Sequence, residues 1–286
     1  MTQTIRLMGA HESAAGGLHT AFERIRQVGG TALQIFTRNQ RQWTAPPISP
    51  EEAREFAAAW TAWGDFPVAS HASYLVNPAS PDETLWKRSV AALAQELERC
   101  RVLGIPWVVL HPGSRTGSEL EEALARAAAC VDAALETAEG PGEPPMILLE
   151  NTAGQGSALG GALAELAGIT ALSRNPERLG LCLDTCHAFV AGYDLRTAAG
   201  LDAALAGLDL SRLKLVHLND SKGGLGSHLD RHEHIGQGGI GLEGFRAVLN
   251  HPVLARLPMV LETHKEKDLK EDVMNLATLR GLLDVG

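Results

Sequence analysis

WVVLHPGSRTGSELEEALARAAACVDAALETAEGPGEPPMILLE, residues 107–150, holds one full structural period of this chain and the start of the next. Trp107–Leu110 and Met146–Leu149 are short apolar runs, the pattern of strands buried on both faces of a parallel sheet. Between them, residues 119–137 read as a long amphipathic helix. Working outward, the same short runs recur at Ile5–Met8, Ala32–Phe36, Pro67–Ser70, Gly180–Leu183, Leu213–Val216 and Met259–Leu261. Helical patterns lie between them, at Leu18–Gln27, Ala158–Leu172, Leu201–Leu208, Leu242–Leu249 and Asp268–Leu283. Two more helices open on N-cap grammar. Ser49-Pro50-Glu51-Glu52 supplies a cap, a proline at the first helical position and a capping-box glutamate, and Ser80-Pro81-Asp82-Glu83 repeats it. Eight strands, each followed by a helix, predict an α/β fold, a (β/α)8 TIM barrel, spanning residues 1–286 as a single domain. A doubly wound sheet is the alternative, but eight units in 286 residues suit a closed barrel better.

Composition narrows the class. With 45% hydrophobic and 21% charged residues the chain is that of a globular protein. No run approaches the roughly 18–20 apolar residues of a membrane span. The opening MTQTIRLMGAH does not have the pattern of a signal peptide, so a cytoplasmic location is the default expectation. The four cysteines, Cys100, Cys130, Cys182 and Cys186, form no CxxC pair and are expected to be reduced and buried. A net charge of −9 argues against nucleic acid when taken alone. That inference ignores metal, and the 11 histidines could hold several divalent ions.

The strand ends carry the chemistry. The first strongly polar residues after the eight runs are His11, Arg38-Asn39, His71, His111, Glu150, Asp184, His217 and Glu262. In a barrel these carboxyl ends converge on one mouth. A single such residue is more often a satisfied polar group than a ligand. Six ligand-type residues in succession are not explained that way, because burying three carboxylates together costs several kcal/mol per unpaired charge. Divalent cations would offset that cost. Asp184-Thr185-Cys186-His187 adds His187, and Asp230-Arg231-His232, in the long segment after the seventh strand, adds Asp230 and His232. Nine candidates exceed the needs of one zinc and suggest two or three ions sharing a carboxylate. Five imidazoles favour zinc, manganese or iron over calcium or magnesium.

Weaker signals stay subordinate. Gly236–Gly241 matches GxGxxG but has no strand directly before it, so it reads as a flexible loop rather than a dinucleotide site. Cys186 reads as a buried filler, and His228 and His234 as solvated loop residues.

On these residues the chain resembles the endonuclease IV family of zinc-dependent apurinic/apyrimidinic endonucleases. The matching strings are GAHESAAGG (9–17), FTRNQRQW (36–43), HASYLVN (71–77), HPGS (111–114), LENTAGQGSALG (149–160), LCLDTCHAFVAGYDLRT (181–197), HLNDSK (217–222), LDRHEHIGQGGIG (229–241) and LET (261–263). The resemblance implies three Zn2+ per chain, with Mn2+ or Fe2+ as possible substitutes. His71, His111 and Glu150 would hold one ion. Asp184, His217 and Glu262 would hold a second, with Glu150 as bridge and catalytic residue. His187, Asp230 and His232 would hold the third. It further implies a monomer acting on double-stranded DNA with abasic or 3′-blocked lesions, nicking 5′ to the abasic sugar and cleaning 3′ ends. Arg41, Tyr74 and Leu75 match positions that the family inserts into the duplex. Ala72 stands where related sequences often carry an acid, and His264 after LET could be an extra donor near the site. Three Zn2+ would move the net charge from −9 to −3 and leave the site positive, although the protein is acidic. A metal-dependent sugar isomerase or epimerase is the rival reading. Such enzymes typically use a lysine or paired glutamates for proton transfer, and no lysine stands at a strand end here.

Overall fold

The computed structural model describes residues 6–138 and 140–284. Eight parallel strands close into a barrel: β1 (Met8–His11), β2 (Leu33–Ile35), β3 (Val68–His71), β4 (Trp107–Leu110), β5 (Met146–Glu150), β6 (Leu179–Asp184), β7 (Leu213–His217) and β10 (Met259–Leu261). Each barrel strand lies beside its sequence neighbours in the barrel, and β1 closes the ring on β10. The helices are α1 (Thr20–Gln27), α2 (Pro50–Trp63), α3 (Glu83–Leu103), α4 (Leu120–Thr137), α5 (Leu163–Leu172), α6 (Thr185–Val190), α7 (Ala198–Leu205), α8 (Gly241–Asn250) and α9 (Lys270–Gly281). A two-stranded antiparallel hairpin, β8 (Asp220–Ser221) with β9 (His232–Glu233), projects after β7.

Several expected boundaries shift for local reasons. The first strand runs Met8–His11 rather than Ile5–Met8, and Ile5 lies outside the described residues. Ser49 closes its expected capping box with Glu52. Ser80 does not cap α3; Asp82 does, accepting from the Leu85 amide, so the helix begins two residues later than the proline suggested. Residues 158–162 form a turn rather than the start of α5, with Gly160 at φ +89°. The short α6 follows β6 directly, where the sequence showed only an Asp-x-x-His spacing.

Two apolar cores result. The larger lies between strands and helices. The smaller fills the barrel interior with Ala32, Ala69, Val109, Leu148, Cys182, Leu215 and Val260. Side chains alternate along a strand, so the residue two places further on points into the same interior, one layer nearer the mouth. Two places beyond those core residues stand Gln34, His71, His111, Glu150, Asp184, His217 and Glu262. The apolar plug of the barrel is therefore the floor on which the polar layer rests.

Candidate metal centre

The layer forms three overlapping groups whose ligand atoms lie within 4.8 Å of one another: His71, His111 and Glu150; Glu150, Asp184, His217 and Glu262; and Asp184, His187 and His232. Glu150 Oε2 lies 3.2 Å from His71 Nε2 and 3.0 Å from His111 Nε2. Its other oxygen lies 3.0 Å from His217 Nδ1, which is 3.2 Å from Glu262 Oε2. Asp230 Oδ1 approaches His187 Nε2 at 3.3 Å and His232 Nε2 at 3.7 Å, so it joins the third group from the loop side. Asp184 is a second shared carboxylate, with Oδ2 3.8 Å from His232 Nε2.

Local structure explains how His187 reaches the mouth. The Asp184 carboxylate accepts the His187 amide at 2.7 Å, capping α6. One helical turn then carries the i+3 side chain back over the i residue, so strand end and helix present ligands to one point.

Hydrogen bonds fix which imidazole nitrogen is free. His71 Nδ1 donates to the Ala72 carbonyl at 2.7 Å, His187 Nδ1 to the Asn151 carbonyl at 2.9 Å and His232 Nδ1 to the Glu262 carbonyl at 3.2 Å. A carbonyl only accepts, so these nitrogens carry protons and the opposite ones present lone pairs when neutral. Those lone pairs face carboxylate oxygens, and His232 Nε2 is buried with no hydrogen-bond partner among the described residues. Lone pair against carboxylate is unfavourable unless a cation or a proton stands between. The donor set thus fits divalent metal.

Without an ion, protons compete for the same places. Burial works against a charged imidazole, yet Asp184, Asp230 and Glu150 raise His187 well above its ordinary value, and Cys182, Glu262 and Glu150 do the same for His217. Burial likewise opposes an ionised Glu150 and Glu262, but His217 and its neighbours hold both well below the usual carboxylate range. Cys186 is buried and pushed up to about 12 chiefly by that burial, which makes it inert as a nucleophile, in keeping with a filler role.

The reading of strand ends passed over three buried amides. Gln34 lies inside the second apolar run, and only its place in the layer marks it. Asn219 donates to Asp184 Oδ2 at 2.6 Å and accepts from the Glu262 amide at 2.8 Å. Asn151 bonds the Asp184 backbone through both ends of its side chain. The signal for both was their position one or two residues beyond a ligand.

Other expectations change. His264 is 77% exposed and faces Glu266 instead of the site. His228 Nδ1 bonds the Ala153 carbonyl at 2.7 Å and His234 faces Asn275 at 3.1 Å, so neither ring is free in solvent. Lys265, the lysine nearest the β10 end, is committed to the His11 carbonyl and Asp272.

Arg41 is exposed on the loop after β2, and Tyr74 is 63% exposed after β3, with Leu75 half-buried beside it. Ser73 donates to the Gln40 carbonyl at 2.7 Å and ties the two loops together. The Tyr74 ring lies 5.4 Å from His71 and 5.9 Å from His111, at the edge of a cavity of about 380 Å³ that reaches Asn77, Ser114 and Asp230.

A barrel with this polar mouth is of the xylose isomerase-like TIM barrel class, and residues 22–279 match that family. A "Probable endonuclease 4" of Chloroflexus aurantiacus is 52% identical over 279 residues, covering 96% of this chain and 97% of that one. One of Oleidesulfovibrio alaskensis is 54% identical over 281 residues, covering 97% and 95%. The chain belongs to the endonuclease 4 family. The crystal structure of endonuclease IV from Thermus thermophilus superposes with a TM-score of 0.85 at 40% identity, covering 97% and 98%. A D-tagatose 3-epimerase-like protein, 22% identical at a TM-score of 0.70 over 96% and 97%, shares the fold alone.

Proposed function

We propose that this chain is an abasic-site endonuclease of DNA repair, a monomeric single-domain barrel that hydrolyses the phosphodiester 5′ to an abasic site in duplex DNA with three Zn2+. The observation that carries this reading is the set of buried imidazole lone pairs aimed at carboxylate oxygens, in a chain of the endonuclease 4 family. His71, His111 and Glu150 would hold one ion, Glu150, Asp184, His217 and Glu262 a second, and His187, Asp230 and His232 the third. Mn2+ or Fe2+ suits the same donors. Bound there, such ions neutralise the phosphodiester and lower the pKa of water.

The chain's own groups do the rest. Glu150, kept ionised by His217 and His111, would position the attacking water and accept its proton. Water adds to phosphorus and the bond to the 3′-oxygen breaks, leaving a 3′-hydroxyl and a 5′-deoxyribose phosphate. The same attack would remove blocking groups from 3′ ends. Arg41, Tyr74 and Leu75 would wedge the duplex open at the lesion, an apolar and aromatic surface replacing lost stacking.

A duplex oligonucleotide with one abasic site tests the reading. The protein should nick it, lose that activity to a chelator and regain it with Zn2+. Glu150→Gln should fold normally and turn over several orders of magnitude more slowly. Nicking within about tenfold of the unaltered protein would refute the role given to Glu150.

A further inference from the structure

Gln34 is fully buried in the polar layer, on β2, and the other six members of that layer are histidines or carboxylates. Its amide nitrogen lies 2.6 Å from Glu262 Oε1 and 2.9 Å from His11 Nδ1, and its oxygen lies 2.9 Å from His217 Nε2. An ionised carboxylate only accepts, so the NH2 end must face Glu262 and the oxygen must face His217. That orientation obliges His217 to donate from Nε2. Its Nδ1 is then the free nitrogen, the one turned toward Glu150 and Glu262. The second NH2 proton goes to His11 Nδ1, whose ring packs 4.3 Å from Phe36. Both N–H donors and the oxygen of the amide are therefore engaged. Glutamate would set a charge against Glu262, and leucine would satisfy neither partner.

We propose that Gln34 is a positioning residue for the ion between His217 and Glu262, fixing the tautomer of one ligand and the orientation of the other. The inference rests on the metal reading given under Proposed function. Its subject is one coordination position, not the barrel as a whole: His71, His187 and His232 take their orientation from backbone carbonyls.

The test uses the full chain loaded with Zn2+ and titrated with a chelator, reading ions retained per chain, beside Gln34→Leu and Gln34→Glu. Both variants should release one ion at 10–100-fold weaker chelation, the usual effect of removing such a partner, and hold the others as the unaltered chain does. With Co2+ in place of Zn2+, the visible spectrum of that one ion should change in both variants. In a His217→Ala background, Gln34→Leu should add a smaller loss than it causes in the unaltered chain, because of the two ligands it positions only Glu262 remains; an equal added loss would overturn the role through His217. Retention of all ions at unaltered chelator strength would overturn the role of Gln34 and leave the metal reading intact. Uniform weakening of every ion, with a lower melting temperature of the ion-free chain, would also overturn it. An unaltered chain that retains no divalent ion would refute the metal reading itself, and the inference with it.

Discussion

Glu12 sits one residue past β1 with 1% of its surface exposed and neither carboxylate oxygen hydrogen-bonded among the described residues. Lys265 Nζ stands 3.6 Å away but is also engaged by Asp272, which is itself fully buried. Burial pushes the Glu12 carboxyl up to about 7, with Asp272 adding to the rise and Lys265 opposing it. The folded state therefore keeps a proton that the unfolded chain gives up near pH 4.5. Stability falls as pH rises from there to about 7, and the full cost is present above that. Glu12→Gln keeps the shape without the ionisation. It should change unfolding free energy little at pH 4.5 and raise it at pH 8, on the order of 1–3 kcal/mol. Denaturant melts at the two pH values measure this, and a gain of equal size at both would contradict the account.

The segment from Asn219 to Gly241, which carries Asp230 and His232, shows how a long loop with little regular structure beyond the two-residue strands β8 and β9 is held. Asp220 is fully buried, and its carboxylate accepts amides of Ser221 (2.8 Å), Gly236 (2.9 Å), Gly238 (3.0 Å), Ile240 (2.9 Å) and Gly241 (3.3 Å). The GxGxxG run does cradle an anion, but the anion is the protein's own side chain, so the loop is pinned rather than flexible. A Cβ at Gly238 would meet Ser221 O at 2.4 Å and Asp220 Oδ1 at 2.6 Å, which explains that glycine. Asp220→Ala would strand five donors and free the loop. It should destabilise the fold by about 2–4 kcal/mol. It should also cost the ion assigned to His187, Asp230 and His232, while two remain by metal analysis. Three ions per chain in that variant would show that the loop keeps its place without Asp220.

At the scale of the molecule, an acidic chain is asked to receive a polyanion. Basic side chains are gathered near the mouth: a second cavity of about 1100 Å³ beside it is lined by Arg24, Arg38, Arg41, Lys265 and Lys267. The Arg41 loop is held stiffly, since Gln95 on α3 bonds both the amide and the carbonyl of Ala45, and Arg38 pairs with buried Glu96 at 3.2 Å. A stiff loop loses little entropy on binding. Replacing Arg41, Tyr74 and Leu75 together by alanine should leave metal content and hydrolysis of a small activated phosphodiester unchanged. Cleavage of abasic duplex should collapse, by on the order of 1–3 kcal/mol for each base whose stacking support is removed. The ratio of the two activities is the measurement. An unchanged ratio would mean that these loops do not open the duplex.

The sequence by itself determined the alternation of short apolar runs and amphipathic helices, because burial on both faces and helical periodicity are local properties of the chain. It also determined which residue types stand at the strand ends, since a ligand there is simply the next polar residue after an apolar run. Tertiary structure decided what depends on closure. Gln34 belongs to the polar layer only because β2 is staggered against its neighbours in the ring, so that a residue inside an apolar run faces the mouth. Asp184 serves two groups only because α6 turns His187 back over it, a turn too short for periodicity to reveal. The tautomers of His187, His217 and His232 were set by two carbonyls and an amide brought from elsewhere in the fold, and hydrogen-bond partners distant in sequence leave no mark on local pattern.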